Sequence, residues 1–158
     1  MSVSPRDGTL AVCGEGGPVE LWDLSSGSRS GVVDGIAGSS AGLAHAPDGT
    51  LLVCTDGERK IHAVSPSGGV TTGPDLPASG PCWVAAASDG RVAVAVRGDN
   101  RILLWDRGRD ETTELPQVRG AAGRMVWSSD GAVLYAVSTS HGIITWSGDK
   151  DWRYFEAP

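Results

Sequence analysis

The chain has a single Phe, which beside its many Gly and Pro residues speaks against a helical bundle. Cysteine is also scarce. Cys13, Cys54 and Cys82 are an odd number at wide spacings, which supports neither a zinc site nor a disulfide framework. Apolar runs approaching 18 residues are missing, and Met1-Ser2-Val3 does not begin a charged-then-apolar leader. No membrane span or signal peptide is therefore expected, and the expected compartment is the cytosol. Basic excess is missing too. With a net charge of −6, a nucleic-acid-binding face made of clustered Lys and Arg is not expected.

What the sequence does hold is small, turn-forming and periodic. Gly 23 and Pro 9 in 158 residues suit many tight turns between short strands. Asp-Gly pairs begin at Asp7, Asp48, Asp89 and Asp130, each 41 residues after the last. Each pair precedes an apolar run, the pattern of a turn joining two strands. Trp22, Ala63, Trp105 and Trp146 follow at a near-constant offset, and Trp22-Asp23 and Trp105-Asp106 are literal Trp-Asp pairs. The later offset is one residue longer in the last two copies, which places an extra residue in the turn before the Trp.

The second strands are expected at Thr9 to Cys13, Thr50 to Cys54, Arg91 to Val96 and Ala132 to Val137. One face carries Leu10 and Val12, Leu51 and Val53, Val92 and Val94, Val133 and Tyr135. The other carries Ala11 and Cys13, Leu52 and Cys54, Ala93 and Ala95, Leu134 and Ala136. Strands apolar on both faces must be covered on both faces. No helical pattern is present to do it, so sheets must cover sheets. Cys13 and Cys54, 41 residues apart, then read as small core fillers.

Period, four short strands per unit and the Trp-Asp dipeptide together resemble the WD-repeat family of β-propellers, over essentially the whole chain. The resemblance implies an all-β fold, a partial β-propeller of about four blades of four antiparallel strands. The blades fall near 1–35, 36–76, 77–117 and 118–158, the first lacking most of its innermost strand. It also implies a rigid interaction platform, similar to sensor or docking regions of bacterial signalling proteins, with no enzymatic activity, cofactor or metal. A ring needs more blades than these, so either further amino-terminal blades or a second copy of the chain is expected to complete it.

The turns between second and third strands and the blade-to-blade connections emerge at one end of such an arc. Arg59, Trp83, Arg97, Arg101 and Arg124 gather there, and Trp and Arg are the residue types that anchor interfaces. A protein or acidic peptide is the partner they suit.

Other motifs carry less. Gly38-Ser39-Ser40-Ala41-Gly42 spells a nucleophile elbow, but that chemistry needs a following helix that the pattern does not supply. Gly14-Glu15-Gly16-Gly17 lacks the Lys and helix of a phosphate loop. Among the histidines, His62 aligns with Leu21, Leu104 and Thr145, and His141 falls in a turn. His45 sits on a strand that lines the axis. A rival reading is a fragment of a propeller enzyme of lactonase or hydrolase type. Asp56-Gly57, Lys60-Ile61-His62 and Ser67-Gly68-Gly69 are similar to repeats of such families, and most of the catalytic groups would then lie outside this chain.

Overall fold

A computed structural model describes residues 1–14, 17–36, 40–55, 58–78, 80–148 and 152–155. Among them are sixteen strands and no helix. They form four antiparallel sheets, each with its strands in sequence order. Blade 1 is β1 (Ser2–Val3), β2 (Thr9–Cys13), β3 (Val19–Asp23) and β4 (Ser28–Val32). Blade 2 is β5 (Ser40–His45), β6 (Leu51–Thr55), β7 (Lys60–Val64) and β8 (Val70–Asp75). Blade 3 is β9 (Cys82–Ala86), β10 (Arg91–Val96), β11 (Ile102–Asp106) and β12 (Glu111–Glu114). Blade 4 is β13 (Ala122–Trp127), β14 (Leu134–Ser138), β15 (Gly142–Trp146) and β16 (Arg153–Phe155). The first strands touch one another in series, β1 to β5, β5 to β9 and β9 to β13, and form the inner wall of the arc.

The repeated Asp-Gly pair makes the first turn of every blade for one physical reason. The Asp Oδ1 accepts the backbone N–H two residues on, at Thr9 (3.0 Å), Thr50 (2.9 Å), Arg91 (3.1 Å) and Ala132 (3.0 Å). The following Gly takes the positive φ that such a turn requires, +71°, +85°, +93° and +73° at Gly8, Gly49, Gly90 and Gly131. The core is three clusters, one at each blade-to-blade contact. Cys54 is fully buried there, and its hydrogen bond with Cys82 and its burial both raise the thiol pKa well above the ordinary value. Such a thiol packs as a small apolar group.

Strand pairing corrects the sequence alignment in two places. Trp22 stands opposite Leu10, Trp105 opposite Val92 and Trp146 opposite Leu134. In blade 2 the residue opposite Leu51 is Val64, and Ala63 lies on the other face opposite Leu52. His62, opposite Val53, therefore faces blade 1 and does not share the side of Leu21 and Leu104. Blade 4 differs more. Its first turn is one residue longer than those of blades 2 and 3: Trp127 pairs with Leu134, where Ala86 pairs with Val92 and His45 with Leu51. The turn before Trp146 is shorter by one in compensation. A one-residue slip exchanges the faces of a strand. Leu134 and Ala136 thus pack on blade 3, and Tyr135 and Val137 point away from it.

That outward face is bare. Val126, Tyr135, Val137, Ile143 and Phe155 share it, and all are exposed, whereas Ile61 and Ile102, at the positions of Ile143 in blades 2 and 3, are fully covered.

Candidate functional site

Gly42, Trp83 and Arg124 stand 41 residues apart and occupy one level at the starts of the inner strands. Gly42 is glycine there because the strands approach closely: a Cβ would lie 2.4 Å from the Cys82 carbonyl oxygen. Arg124 sits in a bulge of β13 between Ala122 and Met125, which re-aims it from the regular pleat. Two adjoining cavities open at this level. One, of about 360 Å³, is lined by Gly42, Leu43, Cys82, Trp83, Arg124 and Met125 among others. The second, of about 330 Å³, is lined by Trp83, Arg97, Gly123, Arg124, Val137 and Thr139 among others. Trp83 and Arg124 belong to both.

Electrostatics separates these arginines from most of the rest. Arg29 pairs with Glu20 (3.0 Å), Arg91 with Asp89 (2.7 Å), Arg107 with Asp48 (3.2 Å) and Arg109 with Asp106 (3.9 Å), and Lys60 pairs with Asp75. Arg119 lies over the Tyr154 ring at 5.2 Å. Arg59, Arg97 and Arg124 are exposed and have no carboxylate partner among the described residues. An exposed Arg free of an internal acid is available to a ligand carboxylate through forked hydrogen bonds.

Of the five residues expected at this end, the structure brings Trp83, Arg97 and Arg124 together. Arg59 lies in the turn before β7 with φ +52° and lines neither cavity. Arg101 is committed internally: its Nη2 is 2.7 Å from Asp99 Oδ2 and donates to the Pro77 carbonyl at 3.2 Å. The hydrogen bonds from Arg101 hold Asp99 below the usual carboxylate range. Arg101 thus stiffens the loop and is not free to anchor a partner. Sequence reasoning missed Gly42 and Met125; the blade connections and residue types that pointed to Trp83 and Arg124 pass over a glycine, although it stands 41 residues before Trp83.

The histidines do not converge. His45 Nδ1 is 3.1 Å from Ser2 Oγ, which also accepts the His45 backbone N–H at 2.9 Å. Burial lowers the His45 pKa, opposed by the charge of Asp7. His62 is buried, with Nε2 3.4 Å from Glu58 Oε2. His141 packs edge-on against Tyr154 at 4.9 Å. Among the described residues no group of three or more His, Cys, Asp or Glu is placed to hold a metal ion. Of the remaining motifs, Gly38 and Ser39, Glu15 and Gly16, and Asp56 and Gly57 lie outside the described residues. Ser40 opens β5, opposite Thr55, so a strand and not a helix follows it.

No protein-family model matches the chain, and no curated protein matches it. Solved structures do. Streptogramin B lyase is similar with a TM-score of 0.80 and 18% identity, over 99% of this chain and 53% of that one. The fold is that of a β-propeller. The chain spans about half the length of that lyase, and at this identity the propeller likeness speaks for architecture alone. It nevertheless corrects one expectation. A propeller of this kind was expected to have no enzymatic activity, yet nearly the whole chain superimposes on an enzyme, a lyase. The architecture therefore does not argue against catalysis.

Proposed function

We propose that the chain is the ligand-gripping part of a propeller enzyme whose ring is completed by further blades. Trp83, Arg97 and Arg124 hold a carboxylate-bearing ligand at the axial end. The observation that carries this reading is the pair of guanidinium groups, unpartnered by any described carboxylate, flanking one half-buried indole across two joined cavities. The likeness to streptogramin B lyase supports the enzymatic class. Hydrolytic opening of a cyclic ester suits such a grip. Water adds to the acyl carbon, the ring C–O bond breaks, the ring oxygen takes up a proton and leaves as an alcohol, and the other product is a carboxylate that two arginines stabilise as it forms. The acid and base groups then come mostly from blades outside this chain.

The 41-residue period and the pairs Trp22-Asp23 and Trp105-Asp106 support, within the same proposal, a WD-type origin for the blades. A cytosolic setting fits their free thiols.

Titration of the purified chain with an aryl carboxylate, followed by tryptophan fluorescence, tests the grip. Arg97→Ala combined with Arg124→Ala is expected to weaken binding about tenfold or more, the loss of a charge-assisted hydrogen bond. Unchanged affinity in the double variant would sink the proposal.

A further inference from the structure

We infer that the cleft between blades 1 and 2 binds a guanidinium group carried on a short apolar stem. The chain displays the recognition chemistry one interface further on. Between blades 2 and 3, Arg107 bridges two acceptors of the neighbouring first turn, Asp48 Oδ2 at 3.2 Å and Thr50 Oγ1 at 3.0 Å. Beside it Trp105, 4% exposed, fills the space over Gly73. Its indole is so close that a Cβ on Gly73 would lie 2.7 Å from the ring.

The same two acceptors recur 41 residues earlier as Asp7 and Thr9, but the two side chains that would fill the space do not. Pro66 stands in the place of Arg107 and Val64 in the place of Trp105, the latter shown by matching strand pairs Leu51 with Val64 and Val92 with Trp105. A cavity of about 270 Å³ remains, and Asp7, Thr9, Val64 and Pro66 all line it. Its walls are mixed: Leu21, Val32 and Leu51 are apolar, Ser4, His45 and Ser65 are polar, and Asp34 is a second acid.

Asp7 shares with Asp48 the bond that closes the turn. Its Oδ1 accepts the Thr9 N–H at 3.0 Å, and Ser4 and Thr9 hydrogen bonds hold it below the usual carboxylate range. What it lacks, among the described residues, is an ion pair with Arg or Lys; the charge that reaches it is that of His45, on the same cavity wall, while Arg6 donates to the Asp48 carbonyl oxygen at 2.9 Å. A carboxylate and hydroxyl set to receive a planar fork, beside a cavity with apolar surface at Leu21, Val32, Leu51 and Val64, select guanidinium over ammonium. The source is either a free alkylguanidine or an arginine side chain of another polypeptide.

The test is calorimetric titration of the whole chain with ethylguanidinium, with ethylammonium, and with a blocked Gly-Arg-Gly peptide. Ethylguanidinium is expected to bind about tenfold more tightly than ethylammonium. Asp7→Asn, which keeps the turn, is expected to weaken it about tenfold or more. Pro66→Arg, which supplies the guanidinium from within, is expected to abolish binding and raise the Tm. Binding of the peptide as well as ethylguanidinium assigns a polypeptide arginine, and binding of ethylguanidinium alone assigns a small molecule. Equal affinity for the two cations, no binding by either guanidinium probe, or binding that survives both substitutions overturns the inference. Arg97 and Arg124 are remote from this cleft, so their substitution leaves it unaffected whatever becomes of the axial reading.

Discussion

At the scale of single residues, the tightest fits are between a glycine and a neighbour that needs its missing side chain. Gly73 gives Trp105 its seat: a methyl group there would meet the indole at 2.7 Å and an Ile61 methyl at 3.1 Å. Gly73→Ala is expected to cost about 1–3 kcal/mol through overpacking, measured by urea denaturation. Charge supplies a second residue-scale test. The folded-state pKa of Asp99 is depressed, first by its hydrogen bond from Arg101. Its contribution is therefore present above the ordinary carboxylate pKa and lost as pH falls through the lower folded value. Denaturation midpoints measured from neutral to acid pH should fall less steeply for Asp99→Asn than for the parent, and parallel curves would contradict the assignment. Among the site residues, Trp83 and Arg124 were legible because the blade-to-blade connections that carry them emerge at one end of the arc. The confinement of Arg101 was not, because a sequence shows a cation two residues after an acid but not whether the loop folds one onto the other.

At the scale of elements, one strand position compares three tryptophans with different coverage. Trp105 and Trp146 are 4% and 8% exposed, between blades. Trp22 is partly exposed on the outer side of blade 1, its Nε1 donating to Glu20 at 3.2 Å. Trp105→Ala is expected to cost about 3–5 kcal/mol, as for a buried aromatic, and Trp22→Ala clearly less, both read from chemical denaturation. Equal losses would mean that Trp22 is covered in solution. The second strands themselves were largely legible: β2 and β10 have the expected bounds, because apolar alternation and Asp-Gly turns act locally. Blade 4 was misread. Leu134-Tyr135-Ala136-Val137 is apolar at every position, so either face could be the buried one. The choice is made by turn length, one residue more before the strand and one fewer after it. The same lack of contrast hid the exchange of Val64 for Trp in blade 2, and with it the cleft.

At the scale of the whole molecule, four blades form an arc with an apolar sheet face left open on blade 4, and the propeller relative is nearly twice as long. Sheet faces of this kind associate when nothing covers them. The period and the two-faced apolar strands made the arc legible in the sequence, since sheets without helices can only cover one another. They could not reveal the class of activity, which depends on which side chains converge in space from several blades. The most direct test is the mass of the purified chain by light scattering over a range of concentration, with Val137→Ser and Ile143→Thr combined as the control. A part of a larger ring is expected to associate above the 16.3 kDa chain mass, and the control, with the blade 4 face made polar, is expected to return to it. A parent chain that stays at the monomer mass at every concentration and binds no apolar-surface dye would contradict the claim that its blades are made to be covered by others.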